Sequence, residues 1–335
     1  VGDQAPAVRA ERLTKSYGRH HARGVVDVDL TVARGEVLGL VGANGAGKTT
    51  LMRTMLDFIR PTAGSLRLFG LDSVADSVAV RRRVAYLPGE LGFPARLTGH
   101  QTVARFGGAR RDVTAARVAA LATALDLDLD RRVGDLSKGN KQKLGLLLAF
   151  APRAELLVLD EPTSGLDPLM QRQFAAMVRE AVGDGAAVLL SSHVMSEVEQ
   201  IAARVALMRD GRVVTVQSLA QVMAHGRRRG RARPRDPLAT PVLVAALRAT
   251  AGVSEVTVAA PTPGSVEPGS AEEEGMVTFA CTGDPSPLVA TLATVPLASL
   301  DLGHADLEDA FFFGVGAPGA TDEPDATGGA EGGSG

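Results

Sequence analysis

Glu36-Val37-Leu38-Gly39-Leu40-Val41-Gly42-Ala43-Asn44-Gly45-Ala46-Gly47-Lys48-Thr49-Thr50 is the stretch on which the reading of this chain turns. Residues 36–41 read as a buried strand, apolar after Glu36. They enter a glycine-rich loop directly, and 48–58 then follows a helical pattern closed by Arg60-Pro61. Gly42 to Thr49 fits the phosphate-loop pattern Gly-x-x-x-x-Gly-Lys-Thr in full, in the strand–loop–helix context that pattern requires. Such a loop wraps its backbone N–H groups around an anion. Lys48 is then placed to reach β- and γ-phosphates, and the Thr49 hydroxyl to ligate Mg²⁺. The positive end of the helix adds to the attraction.

Outward from this loop, strands are expected over 7–17, 25–32, 65–69, 84–87, 156–159, 186–190, 205–208 and 212–216. Helices are expected over 170–181 and 194–203. Apolar strands alternating with helices give an α/β core with a largely parallel sheet. Residues 98–129 and 133–150 are rich in Ala and Leu at helical spacing, so a helical insertion over about 92–150 interrupts the core.

Two acids close the run Leu156-Leu157-Val158-Leu159-Asp160-Glu161. Asp160 is the candidate Mg²⁺ ligand, direct or through water. Glu161 is the candidate to orient and polarise an attacking water. His193 follows the strand at 186–190, which brings it to the same sheet edge as Lys48 and Asp160. It reads as a γ-phosphate sensor or a water-positioning group.

Composition removes several alternatives. With 45% hydrophobic residues the chain can bury a sizeable core, built on Leu, Val and Ala because aromatics are only 4%. A formal net charge of -2 lacks the basic balance of a nucleic-acid binder, so no nucleic-acid partner is expected. One cysteine, Cys281, excludes an intramolecular disulfide and a cysteine-based zinc cluster. Val1-Gly2-Asp3-Gln4 is not a basic segment leading into an apolar one, so no export signal is expected, and no apolar run of the length of a membrane span is present.

Toward the carboxyl end, six arginines at 227, 228, 229, 231, 233 and 235 crowd nine residues, with Pro234 and Pro237 beside the last. Residues 221–240 read as a basic linker, solvated or lying close to a membrane face. Beyond it, helices at 241–250 and 287–295 and strands at 253–259, 276–281 and 298–302, with 307–312 closing, give a small α+β accessory domain over 241–313. Residues 314–335 are dominated by Gly, Ala, Asp and Glu and are expected to be a disordered acidic tail.

Together these residues resemble the ATP-binding-cassette (ABC) transporter family over about 7–220. Leu136-Ser137-Lys138-Gly139-Asn140-Lys141-Gln142 is similar to that family's signature motif and lies between the phosphate loop and the acid pair. The resemblance implies that Ser137 and Gly139 contact the γ-phosphate of ATP held by the opposite subunit. Tyr17 matches the aromatic that stacks on adenine. Ser164-Gly165-Leu166-Asp167 resembles the loop coupling two nucleotide sites, with Asp167 at its end, and Ser192-His193 matches the switch histidine. Gly42, Asn44, Gly45, Gly47, Lys48, Thr49 and Thr50 are the implied phosphate contacts. Two departures stand out. Gly89 occupies the usual place of a glutamine, leaving Glu90 as a candidate Mg²⁺ ligand, and Lys138 and Asn140 replace a glycine and a glutamine of the signature.

The resemblance implies a P-loop NTPase cassette with an N-terminal antiparallel β subdomain, hydrolysing ATP to ADP and phosphate. It implies Mg²⁺ as cofactor, a separate integral-membrane permease, and a second copy or a similar ATPase subunit as partners. The implied place is peripheral, on the cytoplasmic face of the cell membrane. Beyond 220 the chain looks like the extension of bacterial drug, antibiotic and polysaccharide exporter ATPases, and Tyr86-Leu87-Pro88-Gly89-Glu90 like a drug-exporter variant. The competing readings are a non-transport cassette acting on ribosomes or DNA, and a catalytically weak regulatory cassette. Against the former stand a single cassette and a Lys48-to-Asp160 segment too short for long coiled coils.

Overall fold

The computed structural model describes residues 5–17, 22–107, 112–225, 227–258 and 275–306. They fall into two compact units that divide after Gln221.

The first unit is built on two sheets. Strands β1 (Val8–Tyr17), β2 (Ala22–Val32), β4 (Ala63–Leu68) and β5 (Leu71–Asp72) pair antiparallel in the order β2-β1-β4-β5. Alternation carries this sheet: Val8, Ala10 and Leu13 face Leu30, Val32, Leu66 and Leu68 in one core while the intervening residues are exposed. The second sheet contains β3 (Val37–Val41), β6 (Val84–Leu87), β7 (Leu156–Asp160), β8 (Ala187–Ser192), β9 (Arg204–Arg209) and β10 (Arg212–Ser218). Their order is β10-β9-β3-β8-β7-β6, parallel except for the β9–β10 hairpin. Every residue of β3, β7 and β8 is buried, as parallel strands covered on both faces require.

Strand order positions the site. Because β8 runs between β3 and β7, Ser191 is in register with Leu40 on one side and Asp160 on the other. The loops leaving β3, β7 and β8 therefore converge at one carboxyl edge, where open α/β sheets bind ligands.

Helix α1 (Lys48–Met55) leaves the phosphate loop. Three helices, α3 (Gly99–Gly107), α4 (Ala115–Ala124) and α5 (Lys138–Phe150), make the insertion, with α3 and α4 packed on α5 and α5 on β6. Helix α6 (Pro168–Gly183) follows β7, α7 (Met195–Glu199) follows β8, and α8 is Leu219–His225. Helix α2 (Ser77–Arg83) buries only Val80, so it has no apolar period to betray it in the sequence.

Charge joins the two sheets. The Arg83 guanidinium, at the entry to β6, grips Glu155, at the entry to β7, with Nε 2.6 Å from Oε1 and a terminal nitrogen 2.5 Å from Oε2. Arg34 reaches the same carboxylate at 3.1 Å, and both guanidinium groups lie over the Phe69 ring, which follows β4.

The second unit runs β11 (Arg227–Pro234), α9 (Thr240–Ala249), β12 (Val253–Val258), β13 (Val277–Cys281), α10 (Ser286–Leu292) and β14 (Leu297–Asp306). This is a β-α-β-β-α-β unit with an antiparallel sheet in the order β12-β13-β11-β14. Its core gathers Ala232, Leu243, Leu247, Val277, Phe279, Leu288 and Leu292.

The arginine run is therefore not a linker: 227–234 is an internal strand of this sheet. Its inward positions include Gly230 and Ala232, too small to show as apolar alternation among arginines. Gly230 is forced, since a Cβ there would lie 2.3 Å from the Phe279 ring. Arg229 and Arg231 are exposed. The expected closing segment at 307–312 and the tail at 314–335 lie outside the described residues.

Candidate nucleotide-binding site

The loop after β3 owes its shape to glycine. Gly45 and Gly47 have φ of 84° and 106°, and a Cβ on Gly42 would lie 2.2 Å from the Met208 carbonyl oxygen. Gly47 is the N-cap of α1 and offers no side-chain acceptor, so the first-turn N–H groups are left for an anion. Asn44 and Gly45 are exposed at the loop's tip, and Thr50 is half-buried in the first turn. The Lys48 ammonium is buried and donates to the carbonyls of Gly42 at 2.6 Å and Ala43 at 3.2 Å. Burial pushes its pKa down, against the opposing pull of the Glu161 and Asp160 carboxylates.

Thr49 and Asp160 meet directly, the Thr49 hydroxyl donating to Oδ2 at 2.8 Å. The Ser191 hydroxyl donates to Oδ1 of Asp160 at 2.6 Å and accepts from the Glu161 N–H at 3.0 Å. A hydroxyl and a carboxylate side by side form a hard-oxygen donor set, which fits Mg²⁺ completed by phosphate oxygens and water. Gly89 is the residue against Asp160: a Cβ there would be 3.5 Å from Oδ2, whereas Glu90 is exposed.

Glu161 adopts φ 50°, a left-handed conformation that costs a non-glycine residue on the order of 1–3 kcal/mol. Its surroundings fix it there. Besides the Ser191 contact, the buried Gln142 amide donates to the carbonyls of Pro162 at 2.8 Å and Glu161 at 3.3 Å. The Glu161 carboxylate lies between two nitrogens, with Oε2 2.7 Å from His193 Nδ1 and Oε1 3.8 Å from Lys48 Nζ.

A second cluster forms at the start of α5. Ser137 caps that helix, accepting from the Asn140 N–H at 3.2 Å. Gly139 faces the loop after β7, with a Cβ position 3.0 Å from the Gly165 carbonyl, and the Lys138 stem lies over Gly165. Asp167 caps α6 through bonds from the N–H groups of Leu169 and Met170. Tyr17, at the end of β1, is 40% exposed. Its ring edge is 3.5 Å from the Cβ position of Gly24, whose carbonyl abuts Gly47, so the ring stands beside the phosphate loop.

The structure thus joins Lys48, Thr49, Asp160, Glu161 and His193 in one bonded network through Ser191, and brings Lys138 and Gly139 against Gly165, with Ser137 capping the same helix. Sequence reasoning missed Ser191 and Gln142. Ser191 ends an apolar strand, but only the strand order shows that it faces Asp160.

A phosphate loop leaving one strand of a parallel sheet, with an acid pair leaving another at the same edge, defines a P-loop nucleoside triphosphatase. A family model described as ABC transporter matches residues 25–164. The bacitracin transport ATP-binding protein BcrA of Enterococcus faecalis is 34% identical over 224 residues, spanning 66% of this chain and 72% of the relative. The daunorubicin resistance ATP-binding protein DrrA3 of Streptomyces coeruleorubidus is 38% identical over 215 residues, covering 62% and 67%. A solved ATP-binding subunit of an ABC transporter superposes with a TM-score of 0.60 at 27% identity, over 64% of this chain and 91% of that one. The chain belongs to the ABC transporter family as an ATP-binding, ATP-hydrolysing subunit. Among its described residues no helix is long and apolar enough to cross a membrane.

Proposed function

We propose that this chain powers an exporter of drug-, antibiotic- or lipid- and polysaccharide-like compounds, as one of two cassettes acting on a separate membrane permease. The observation that carries the catalytic part is the continuous network from Thr49 through Asp160 and Ser191 to Glu161 and His193.

ATP binds with its phosphates on the N–H groups of 42–50 and its adenine against Tyr17. Lys48 leaves its loop carbonyls for the β- and γ-phosphate oxygens. Thr49 and Asp160 would hold Mg²⁺, which would supply charge neutralisation at the phosphates. Glu161 accepts a hydrogen bond from water and aims its lone pair at the γ-phosphorus. The water oxygen bonds to the γ-phosphorus as its proton passes to Glu161, the bond from that phosphorus to the bridging oxygen breaks, and ADP leaves with that oxygen while the proton returns from Glu161 to the phosphate formed. His193 holds the Glu161 carboxylate in line. Glu90 is left outside this set, because Gly89 takes the place beside Asp160.

The partners follow from surfaces. Ser137, Gly139 and the 164–167 loop form one cluster suited to the γ-phosphate of a second copy or a similar subunit. Leu91, Phe93, Phe106 and Leu148 line an apolar hollow of about 450 Å³ beside β6, which offers a permease its docking place on the cytoplasmic membrane face. The cassette occupies 7–220, and the β-α-β-β-α-β unit is an accessory domain. The cargo class rests on likeness to proteins named for bacitracin transport and daunorubicin resistance.

The test is ATPase activity of the chain copurified with its membrane partner, measured with and without peptide antibiotics or anthracyclines. Stimulation by one of these classes, abolished in Glu161→Gln, supports the reading. Turnover indifferent to all such compounds and to the membrane partner contradicts it.

A further inference from the structure

We infer that Glu197 is a positioning residue for hydrolysis, one carboxylate that locks together the three segments carrying Glu161, His193 and Asp167. The inference rests on the ATPase assignment and adds a residue to it.

Glu197 lies on α7 and is half-buried. Its Oε2 accepts from the Thr163 hydroxyl at 2.6 Å and from the Ser192 hydroxyl at 2.8 Å. Its Oε1 accepts from the Gln171 amide at 3.4 Å. Each donor has a neighbour of consequence. Thr163 stands two residues past Glu161. Ser192 immediately precedes His193, and its hydroxyl also accepts from the Val194 N–H at 2.9 Å, closing the turn on which His193 sits. Gln171 follows Asp167 by about one turn of α6.

Thr163 and Ser192 are buried, so their hydroxyls need a protein acceptor. By taking both on one oxygen, Glu197 fixes the separation between the chain leaving β7 and the chain leaving β8. That separation sets the 2.7 Å contact between Glu161 and His193. The residue touches neither Lys48 nor Thr49 in this network, so its effect falls on the geometry of attack rather than on holding phosphate.

The arrangement of donors separates two substitutions. In Glu197→Gln, the amide oxygen can take the Oε2 place and keep both hydroxyl donors, losing only the long Gln171 contact. In Glu197→Ala all three are lost. The experiment measures steady-state ATP turnover of the full chain and, separately, equilibrium binding of a fluorescent ATP analogue, with circular dichroism to check folding. Displacing reacting groups by about an ångström costs on the order of 10²-fold in rate. Glu197→Ala is expected to lose that much in kcat with analogue affinity within about threefold of wild type, and Glu197→Gln to regain most of the rate. Alanine-variant kcat within about threefold of wild type, parallel loss of rate and affinity, or a glutamine variant as slow as alanine would overturn the inference. A wild type that binds the analogue yet turns over no ATP overturns the ATPase assignment itself, and this inference with it.

Discussion

His193 Nδ1 lies 2.7 Å from Oε2 of Glu161, while Oε1 of the same carboxylate is 3.8 Å from Lys48 Nζ. The candidate base is thus held between the candidate phosphate-binding lysine and the histidine past the next strand. The His193 side chain is 51% exposed, so this contact lies on the open side of the site, where a γ-phosphate and a second cassette would arrive.

Removing the imidazole should leave Lys48, Thr49 and Asp160 in place. His193→Ala is expected to lower kcat by on the order of 10²-fold, with nucleotide affinity nearly unchanged. Steady-state kinetics beside equilibrium binding checks this, and a fall confined to affinity would argue that His193 serves binding.

Ser191→Ala deletes a buried hydroxyl that serves two partners. Asp160 Oδ1 loses a donor and the Glu161 N–H loses an acceptor. Leaving such groups unsatisfied costs about 1–3 kcal/mol, to be read as a shift in urea midpoint. Mg²⁺-dependent ATP affinity should weaken too, because Oδ1 no longer anchors the Asp160 carboxylate.

How much of this was legible in the sequence depended on distance along the chain. Lys48 and Thr49 are set by contiguous residues, and Asp160 and Glu161 by the apolar run before them, so each could be read locally. Ser191 and Glu197 reach across strands and helices, and their partners Asp160, Gln171 and Thr163 are 26 to 34 residues away. No spacing rule reaches that far without the β3-β8-β7 order. Helix α2 stayed hidden because it buries one side chain. Strand β11 stayed hidden because its inward residues include glycine and alanine.

Gly230→Val tests that last correction. The added Cβ would meet the Phe279 ring, and overpacking of this kind costs about 1–3 kcal/mol. Limited proteolysis should show the second unit opened while nucleotide binding by the first is preserved. A linker would tolerate the change without effect.

The Glu155 carboxyl is held below the usual range chiefly by its hydrogen bonds from Arg83, with Arg34 adding to them. A depressed folded-state value means stability that is present in full above the ordinary glutamate range and lost as pH falls toward the lower folded value. Thermal melts of Glu155→Gln should therefore show a shallower loss of stability on the acid side than wild type. Parallel profiles would mean that the pair contributes nothing to folding.

The most direct measurement of the central claim is phosphate release by Glu161→Gln at saturating Mg-ATP, beside its ATP affinity. The amide keeps the shape and the contact partners but cannot polarise water as a carboxylate does. Turnover should fall by about 10²–10⁴-fold while ATP still binds as in wild type and draws two cassettes into a dimer. Phosphate release at the wild-type rate would contradict the assignment of Glu161 as the group that activates water.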